Sequence, residues 1–374
     1  MRVGQRRIRA RTKAKRRQQT KRNHGLVAVS FAKGPHRMKN CPAREKLAVM
    51  TMGMSMVMWK QAHPLGPLLN IPSGSGRINM PVIRLRPQKE KVVIVIGPTG
   101  TGKSRLSIDL ATQSVAEIVN SDKMQVYQGL DIVTNKITEE ESCGVPHHLL
   151  GVIDPIADFT ATNFCNSASL SLKSIVNRGK LPIIVGGSNS YIEELVDNED
   201  FGFRSRYECC FLWVDVSMPV LQSVLCQRVD RMVEAGMVEE VRNMFDPNAD
   251  YSRGIRRAIG IPEFDAYFRA EGKNKARLLH EAIQAIKYNT CELACRQLKK
   301  IHRLRDVKRW KVHRLDATDV FRKSGEEADE AWEELVAGPS TMIVSRFLYN
   351  LSTDNYARVS LPAIRAPAMA AATH

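Results

Sequence analysis

Residues 91–104 read KVVIVIGPTGTGKS, and no other stretch of the chain limits its fold as tightly. VVIVI is a short, β-branched, unbroken apolar run, the texture of a parallel strand covered on both faces. It passes into glycines and then into SRLSIDLATQ, whose apolar spacing is helical. The loop between them, Gly97, Pro98, Thr99, Gly100, Thr101, Gly102, Lys103 and Ser104, fits G-x-x-x-x-G-K-S/T at every fixed position. Between a strand and a helix, such a loop gathers backbone N–H groups around an anion at the helix N-terminus. Lys103 adds a point charge there, and the Ser104 hydroxyl is a ligand for Mg²⁺. The implied ligand is a diphosphate or triphosphate carried with Mg²⁺; the reaction is left open.

Further apolar runs at 116–120 (AEIVN), 181–187 (LPIIVGG) and 209–216 (CCFLWVDV) alternate with helix-compatible or irregular stretches. The expected fold class is α/β: a P-loop NTPase-like, mostly parallel sheet flanked by helices, with a helix-rich C-terminal half. The sheet core should extend to about 216 and the helix-rich part over 217–310, where Leu221, Leu225, Val229, Met232 and Val233 share a face and ARLLHEAIQAIKYNTCELACRQLKKIHRLR forms a second long helix. No apolar period is legible past about 335, so 91–335 is expected to be the folded domain and 336–374 a disordered tail.

The formal net charge of +17 points to an anionic partner unless it is localised. It is localised: residues 1–90 hold 21 Lys or Arg against only Glu45 and Glu90, while the remainder holds 35 basic and 37 acidic side chains. The arm lacks the apolar period needed to fold alone. Acid-poor and Arg-rich, though low in Ser, it has the composition of an organelle transit peptide, with the plastid as the expected address and mitochondrion, cytosol or nucleus as alternatives. Its apolar stretch Leu47–Trp59 is shorter than the roughly 20 residues a bilayer requires, so no membrane span is expected. Eight cysteines show no CxxC pair and no zinc-finger spacing, the usage of reduced thiols, with Cys209 and Cys210 expected in a buried strand.

A second chemical signal is NSDKMQVYQGLDIVTNK at 120–136, just past the second expected strand. In an open parallel sheet the carboxyl ends of neighbouring strands share a crevice, so Asp122 should face the phosphate loop. From spacing alone it is equally a water-mediated Mg²⁺ ligand, a general base, or a helix cap with Gln125 as capping-box partner. His147 and His148 invite a metal reading, but adjacent residues on a strand point to opposite faces and no third ligand has a recognisable spacing; a structural role is expected.

Seven segments in order, GPTGTGKS, NSDKMQVYQGLDIVTNK, GVPHHLLG, GGSNSYIEELV, QRVDRMVEAGMVEEV, RGIRRAIGIPEFDAYF and NTCELACRQLKKIHRL, resemble the isopentenyltransferase family, above all its plant adenylate branch and more distantly its tRNA dimethylallyltransferases. The resemblance spans about 91–317. It implies transfer of a dimethylallyl group from its diphosphate to N6 of adenine, the first step of cytokinin formation, with Mg²⁺. The loop at 97–104 would hold the leaving diphosphate. The aspartate of the family's S-D-x-x-Q segment, Asp122 here, would be the base. Ser188 in GGSNSYI and Arg228 in QRVDRM would contact the same diphosphate; by residue type alone they are an N-cap and a helix-face arginine. By their position, Thr134, Asn135 and Lys136 after Asp131 are candidates to line the site, Asp131 is a cap or a partner of Lys136, and Arg253, Arg256, Arg257 and Lys287 are candidates for the acceptor's 5′-phosphates or solvated helix-face charges.

Two rivals remain. A P-loop nucleotide or metabolite kinase shares the loop and the metal but has no need of an aspartate against N6. A tRNA prenyltransferase would use the basic arm on RNA, yet the body is slightly acidic and no Cys/His finger follows the catalytic segments, which argues against tRNA. The expected acceptor is a free adenine nucleotide, ATP, ADP or AMP, and the expected state a monomer.

Overall fold

The structure, a computed structural model, describes residues 88–350. The leader of 1–87 and the residues after 350 lie outside them. Among the described residues six strands build one sheet in the order β3-β2-β4-β1-β5-β6, every pairing parallel. Their ranges are β1 Glu90–Ile96, β2 Ala116–Asn120, β3 His147–His148, β4 Leu181–Val185, β5 Tyr207–Asp215 and β6 Val312–Asp316. The flanking helices are α1 Lys103–Gln113, α2 Ala161–Asn177, α3 Asn189–Asp197, α4 Met218–Glu234, α5 Met237–Arg242, α6 Lys275–Asp306, α7 Glu326–Trp332 and α8 Gly338–Tyr349, with single turns between some of them.

Alternation along β1 explains the layering. Val92, Ile94 and Ile96 face one side, where α2, α3, α4 and α6 pack; Val93 and Val95 face the other, under α1 and the C-terminal helices. All five are fully buried, which is why the strand reads as an unbroken apolar run. The chain leaves β1 in one direction to reach β2 and leaves β4 in the other to reach β5, so the two central neighbours β1 and β4 flank a switch point. Ligands in open α/β sheets bind at the carboxyl ends of the strands at such a point.

The expected fold class holds, and the structure adds two strands. β3 spans two residues, and β6, VHRLD, is an edge strand whose only buried member is Leu315. The boundary at 335 needs correction. Val336, Ala337, Ser340 and Val344 are buried against α1, the one-turn π-helical segment Glu333–Ala337 leads into α8, and that helix runs to Tyr349. Lys91, at the start of β1, reaches the C-terminal end of α8: its ammonium donates to the carbonyls of Phe347 and Leu348 and lies over the Phe347 ring. The first strand thus caps the last helix. The segment lacks a legible period because its apolar residues are split between two short helices and a π turn.

Candidate active site

Three turns converge at the carboxyl edge of the sheet: the phosphate loop after β1, residues 121–125 after β2, and Gly186-Gly187-Ser188 after β4. Gly102 is the N-cap of α1 at φ +89°, a conformation side-chain-bearing residues rarely adopt, and a Cβ there would sit 2.8 Å from the Trp332 ring. The loop therefore needs glycine for contact with its own protein as much as for a ligand. The Lys103 ammonium folds back to donate to the Pro98 carbonyl at 2.7 Å, and Thr101 Oγ1 donates to the same oxygen at 3.0 Å. Desolvation draws Lys103 down to about 8, against a smaller upward pull from Asp122 and a further lowering by Arg228. Ser104 is exposed in the first turn of α1.

Arg228, on α4, donates from Nη1 to Thr99 Oγ1 at 3.1 Å, while its Nε is buried with no partner among the described residues. Desolvation brings even this guanidinium down to about 10, with Arg231 adding to the effect. Two cations that share a desolvated corner, one carrying an orphaned N–H, form a receptor for an oxyanion with several acceptor atoms.

Asp122 does both things its sequence context allows. Its Oδ1 accepts the Met124 N–H at 2.9 Å and the Gln125 N–H at 3.4 Å, the cap of a short turn. Its Oδ2 lies on the side of Gly187 and accepts from none of the described residues, while Lys103 and Arg228 both feel its charge. Ser188 occupies the N-cap position of α3 without capping it; its Oγ accepts the Lys123 N–H at 2.9 Å, joining the second and third turns and keeping its own proton to donate. Thus Asp122, Lys103, Ser188 and Arg228 belong to one cluster.

Other expectations divide. Asp131 pairs with Lys136 at 2.8 Å, and Gln125 Nε2 donates to the carbonyls of Thr134 and Asn135 at 3.1 and 2.9 Å, so 131–136 is the outer wall of the Asp122 turn. Of the four phosphate candidates, Lys287 is tied to Asp230 at 2.6 Å, Arg253 to Asp158 at 2.6 Å, and Arg256 lies 3.9 Å from Asp246. Arg257, though exposed, bonds to no carboxylate among the described residues and donates to Tyr127 Oη at 3.4 Å and to the Gly254 carbonyl at 3.2 Å. Desolvation lowers the Lys123 ammonium, as do the charges of Lys300 and Arg257, so these three cations share one neighbourhood next to Asp122. The histidines are structural: His147 Nδ1 contacts the Val145 carbonyl at 2.8 Å and His148 Nε2 meets Glu117 at 2.7 Å. Among the described residues no group of three His, Cys, Asp or Glu could hold a metal.

Sequence reasoning missed Gln297 and Glu240. Gln297, buried on α6, accepts the Thr99 N–H at 2.7 Å and donates to the Gly187 carbonyl at 2.9 Å, pinning the phosphate loop to the β4 turn. A Cβ at Gly187 would collide with its amide, which accounts for the second glycine of GGS. Glu240, on α5, accepts the N–H groups of Ile132 and Val133 at 2.9 and 2.8 Å. Both lie inside segments that carry the family resemblance, but a polar residue on a helix gives no sign of what it reaches across 108 or 198 positions of chain.

The sequence pattern of the family described as IPP transferase matches residues 125–205 and 197–303. Adenylate isopentenyltransferase 3, chloroplastic, of Arabidopsis thaliana is 60% identical over 311 residues, covering 81% of this chain and 93% of the relative. The chain belongs to the isopentenyltransferase family. Adenylate isopentenyltransferase 7, mitochondrial, of the same plant is 56% identical over 270 residues, covering 70% of this chain and 82% of the relative. Among solved structures, the tRNA isopentenylpyrophosphate transferase of Bacillus halodurans aligns with a TM-score of 0.56 at 26% identity, over 70% of this chain and 100% of that one. A eukaryotic dimethylallyltransferase acting on tRNA reaches a TM-score of 0.60 at 24% identity, over 71% of this chain and 81% of that one, a likeness of fold. Membership of this family makes the chain a prenyltransferase and places the cluster around Asp122 in an enzyme.

Proposed function

We propose that this isopentenyltransferase moves a dimethylallyl group from dimethylallyl diphosphate to N6 of the adenine of a free nucleotide, ATP or ADP and also AMP, with Asp122 as general base. The observation that carries the reading is the free Asp122 Oδ2 beside the cation pair Lys103 and Arg228. A kinase has use for the cations but no need of a carboxylate set against N6. The names of the 60% and 58% identical relatives, both adenylate isopentenyltransferases, support the acceptor class.

The allylic C–O bond breaks and its electron pair leaves on the diphosphate. Lys103, the loop amides, Arg228 and the Ser188 hydroxyl receive that developing charge, in a site desolvated enough to strengthen each contact. The adenine N6 lone pair forms the new C–N bond, and the N6 proton passes to Asp122 Oδ2. Oδ1 stays fixed by the Met124 and Gln125 amides, which holds the carboxylate in place as the proton arrives. The nucleotide's phosphates would lie toward Lys123, Arg257 and Lys300.

The donor set fits a magnesium ion brought in on the diphosphate. Mg²⁺ commonly takes one or two protein oxygens with substrate phosphates and water, and the exposed Ser104 hydroxyl is such an oxygen. When bound, the ion would neutralise charge on the leaving group. The proposed compartment is the plastid, as the names of several relatives specify for themselves.

The test is incubation of the full chain with dimethylallyl diphosphate and AMP, ADP, ATP or tRNA, followed by mass spectrometry. A five-carbon prenyl gain on the adenine of a free nucleotide is expected. Phosphoryl transfer, or prenylation of tRNA alone, would sink the reading.

A further inference from the structure

Three partly buried cysteines outside the proposed chemistry lie where α4 crosses α6: Cys226 on α4, and Cys291 and Cys295 one turn apart on α6. The crossing has a marker. Asp230 Oδ1 of α4 and Lys287 Nζ of α6 are 2.6 Å apart. Cys226 precedes Asp230 by four residues and Cys291 follows Lys287 by four, so in an antiparallel pair the two cysteines face each other one turn along. Cys226 and Cys295 both lie close enough to Cys291 to raise its thiol.

We propose that Cys226 and Cys291 are a reversible disulfide site that weakens the enzyme's hold on its leaving diphosphate when oxidised. Desolvation and the neighbouring Cys226 push the Cys291 thiol up, so Cys291 keeps its proton and Cys226 is the sulfur that reacts first. The oxidant is a peroxide. Cys226 gives up its thiol proton as its sulfur attacks one oxygen of hydrogen peroxide, the O–O bond breaks, and the departing hydroxide takes up that proton to leave as water. Cys226 is then a sulfenic acid. The Cys291 sulfur attacks it, the S–O bond breaks, and the second water leaves with the Cys291 proton. Two thiols lose two electrons in total, and one peroxide becomes two waters.

Closing the bond brings the two sulfurs to about 2.05 Å. Arg228 sits two residues beyond Cys226 and senses Cys291 electrostatically, while Gln297 sits two beyond Cys295. Both reach Thr99 of the phosphate loop. A shift of this crossing therefore moves both groups that hold that residue.

The experiment treats the full chain with hydrogen peroxide, maps peptides without reduction, and titrates reduced and oxidised protein with Mg²⁺ and inorganic pyrophosphate. Expected are a Cys226–Cys291 cross-linked peptide that dithiothreitol removes, and a several-fold loss of pyrophosphate affinity that dithiothreitol restores. Cys226→Ser and Cys291→Ala should each abolish the cross-link and keep their affinity under peroxide. Absence of that peptide from the wild-type map overturns the proposal without recourse to any variant. So does an equal peroxide-induced affinity loss in Cys226→Ser. The consequence for binding rests on the diphosphate reading, whereas the peptide map does not: reduced protein that ignores pyrophosphate sinks that reading and leaves the disulfide to be judged on its own.

Discussion

Gln297 Oε1 accepts the Thr99 N–H at 2.7 Å, so one amide of the phosphate loop is committed to the protein rather than to a ligand. With Nε2 on the Gly187 carbonyl, one buried side chain fixes the spacing between the loop after β1 and the turn after β4. Gln297→Leu should leave Thr99 N–H and Gly187 C=O without these partners, at about 1–3 kcal/mol for each group that stays dry. Thermal melts should show that loss, and pyrophosphate affinity should fall with it. Unchanged affinity in a folded variant would reduce Gln297 to a packing residue.

Asp122 invites a paired test because its two oxygens have different partners. Asp122→Asn retains an acceptor for the Met124 and Gln125 amides, whereas Asp122→Ala removes cap and base together. Both should lower turnover by about 10²–10⁴-fold, the usual worth of a positioned base. Only Asp122→Ala should also cost about 1 kcal/mol of stability, the worth of a cap. Near-wild-type turnover of Asp122→Asn would remove the base assignment.

Lys103 yields a pH prediction with a definite sign. Its folded value, about 8, lies below the ordinary 10.5, so below pH 8 the ammonium is charged in both states and the folded state bears the cost of desolvating it. Between those two values the unfolded chain holds the proton and the folded chain does not, so the cost is relieved and stability from this group rises with pH. Lys103→Met should stabilise the ligand-free protein near pH 7 by about 1–3 kcal/mol, after discounting for partial exposure. It should also abolish tight pyrophosphate binding. In the wild type, that binding should weaken as pH rises through 8 and the charge is lost. Equal melting temperatures for wild type and Lys103→Met at pH 7 would contradict the strain.

How much of this was legible beforehand follows from what each residue needs. β1, the loop and α1 are contiguous, and their local pattern states their structure; Asp122 follows from the rule that strand ends share a crevice, whereas Ser188, by residue type only an N-cap, entered through family resemblance. Arg228 became a candidate through family resemblance, because a helix-face arginine has no local signature. Gln297, Glu240 and Trp332 act across 107 or more residues, or cover another element, and no period encodes that. The edge strand β6 and helices α7 and α8 escaped because exposed polar residues interrupt their apolar ones.

Glu117 supplies a control remote from the chemistry. It is buried at the sheet edge and bonded to Lys180 at 2.8 Å, His148 at 2.7 Å and Arg178 at 2.6 Å. Burial alone would push its carboxyl up, but the bonds from Lys180, His148 and Arg178 prevail and hold it at about 2. Because the folded value lies below the ordinary 4.5, its contribution is fully present above pH 4.5 and is lost as pH falls toward 2. Glu117→Gln should cost about 2–4 kcal/mol at pH 7 and flatten the acid limb of the melting profile. Turnover of the fraction that remains folded should stay within about twofold, since no reacting group touches Glu117; a large loss would mean the sheet edge communicates with the site.

The C-terminal helices make the last prediction. Trp332 lies against Gly102, donates its indole N–H to Asp109 at 2.7 Å, and has the Arg105 guanidinium 4.6 Å from its ring centre. The residues that follow it bury Val336 and Val344 on the same face of the sheet and supply the carbonyls that Lys91 caps. A chain ending at 335 would lose those two valines, about 3–6 kcal/mol of burial, together with the cap. Such a chain should melt well below the full-length protein and bind pyrophosphate weakly, because the outer support of the phosphate loop is loosened. A chain ending at 350 should match the full-length protein in both respects. Equal stability of the two truncations would return the segment after 335 to the status of a tail.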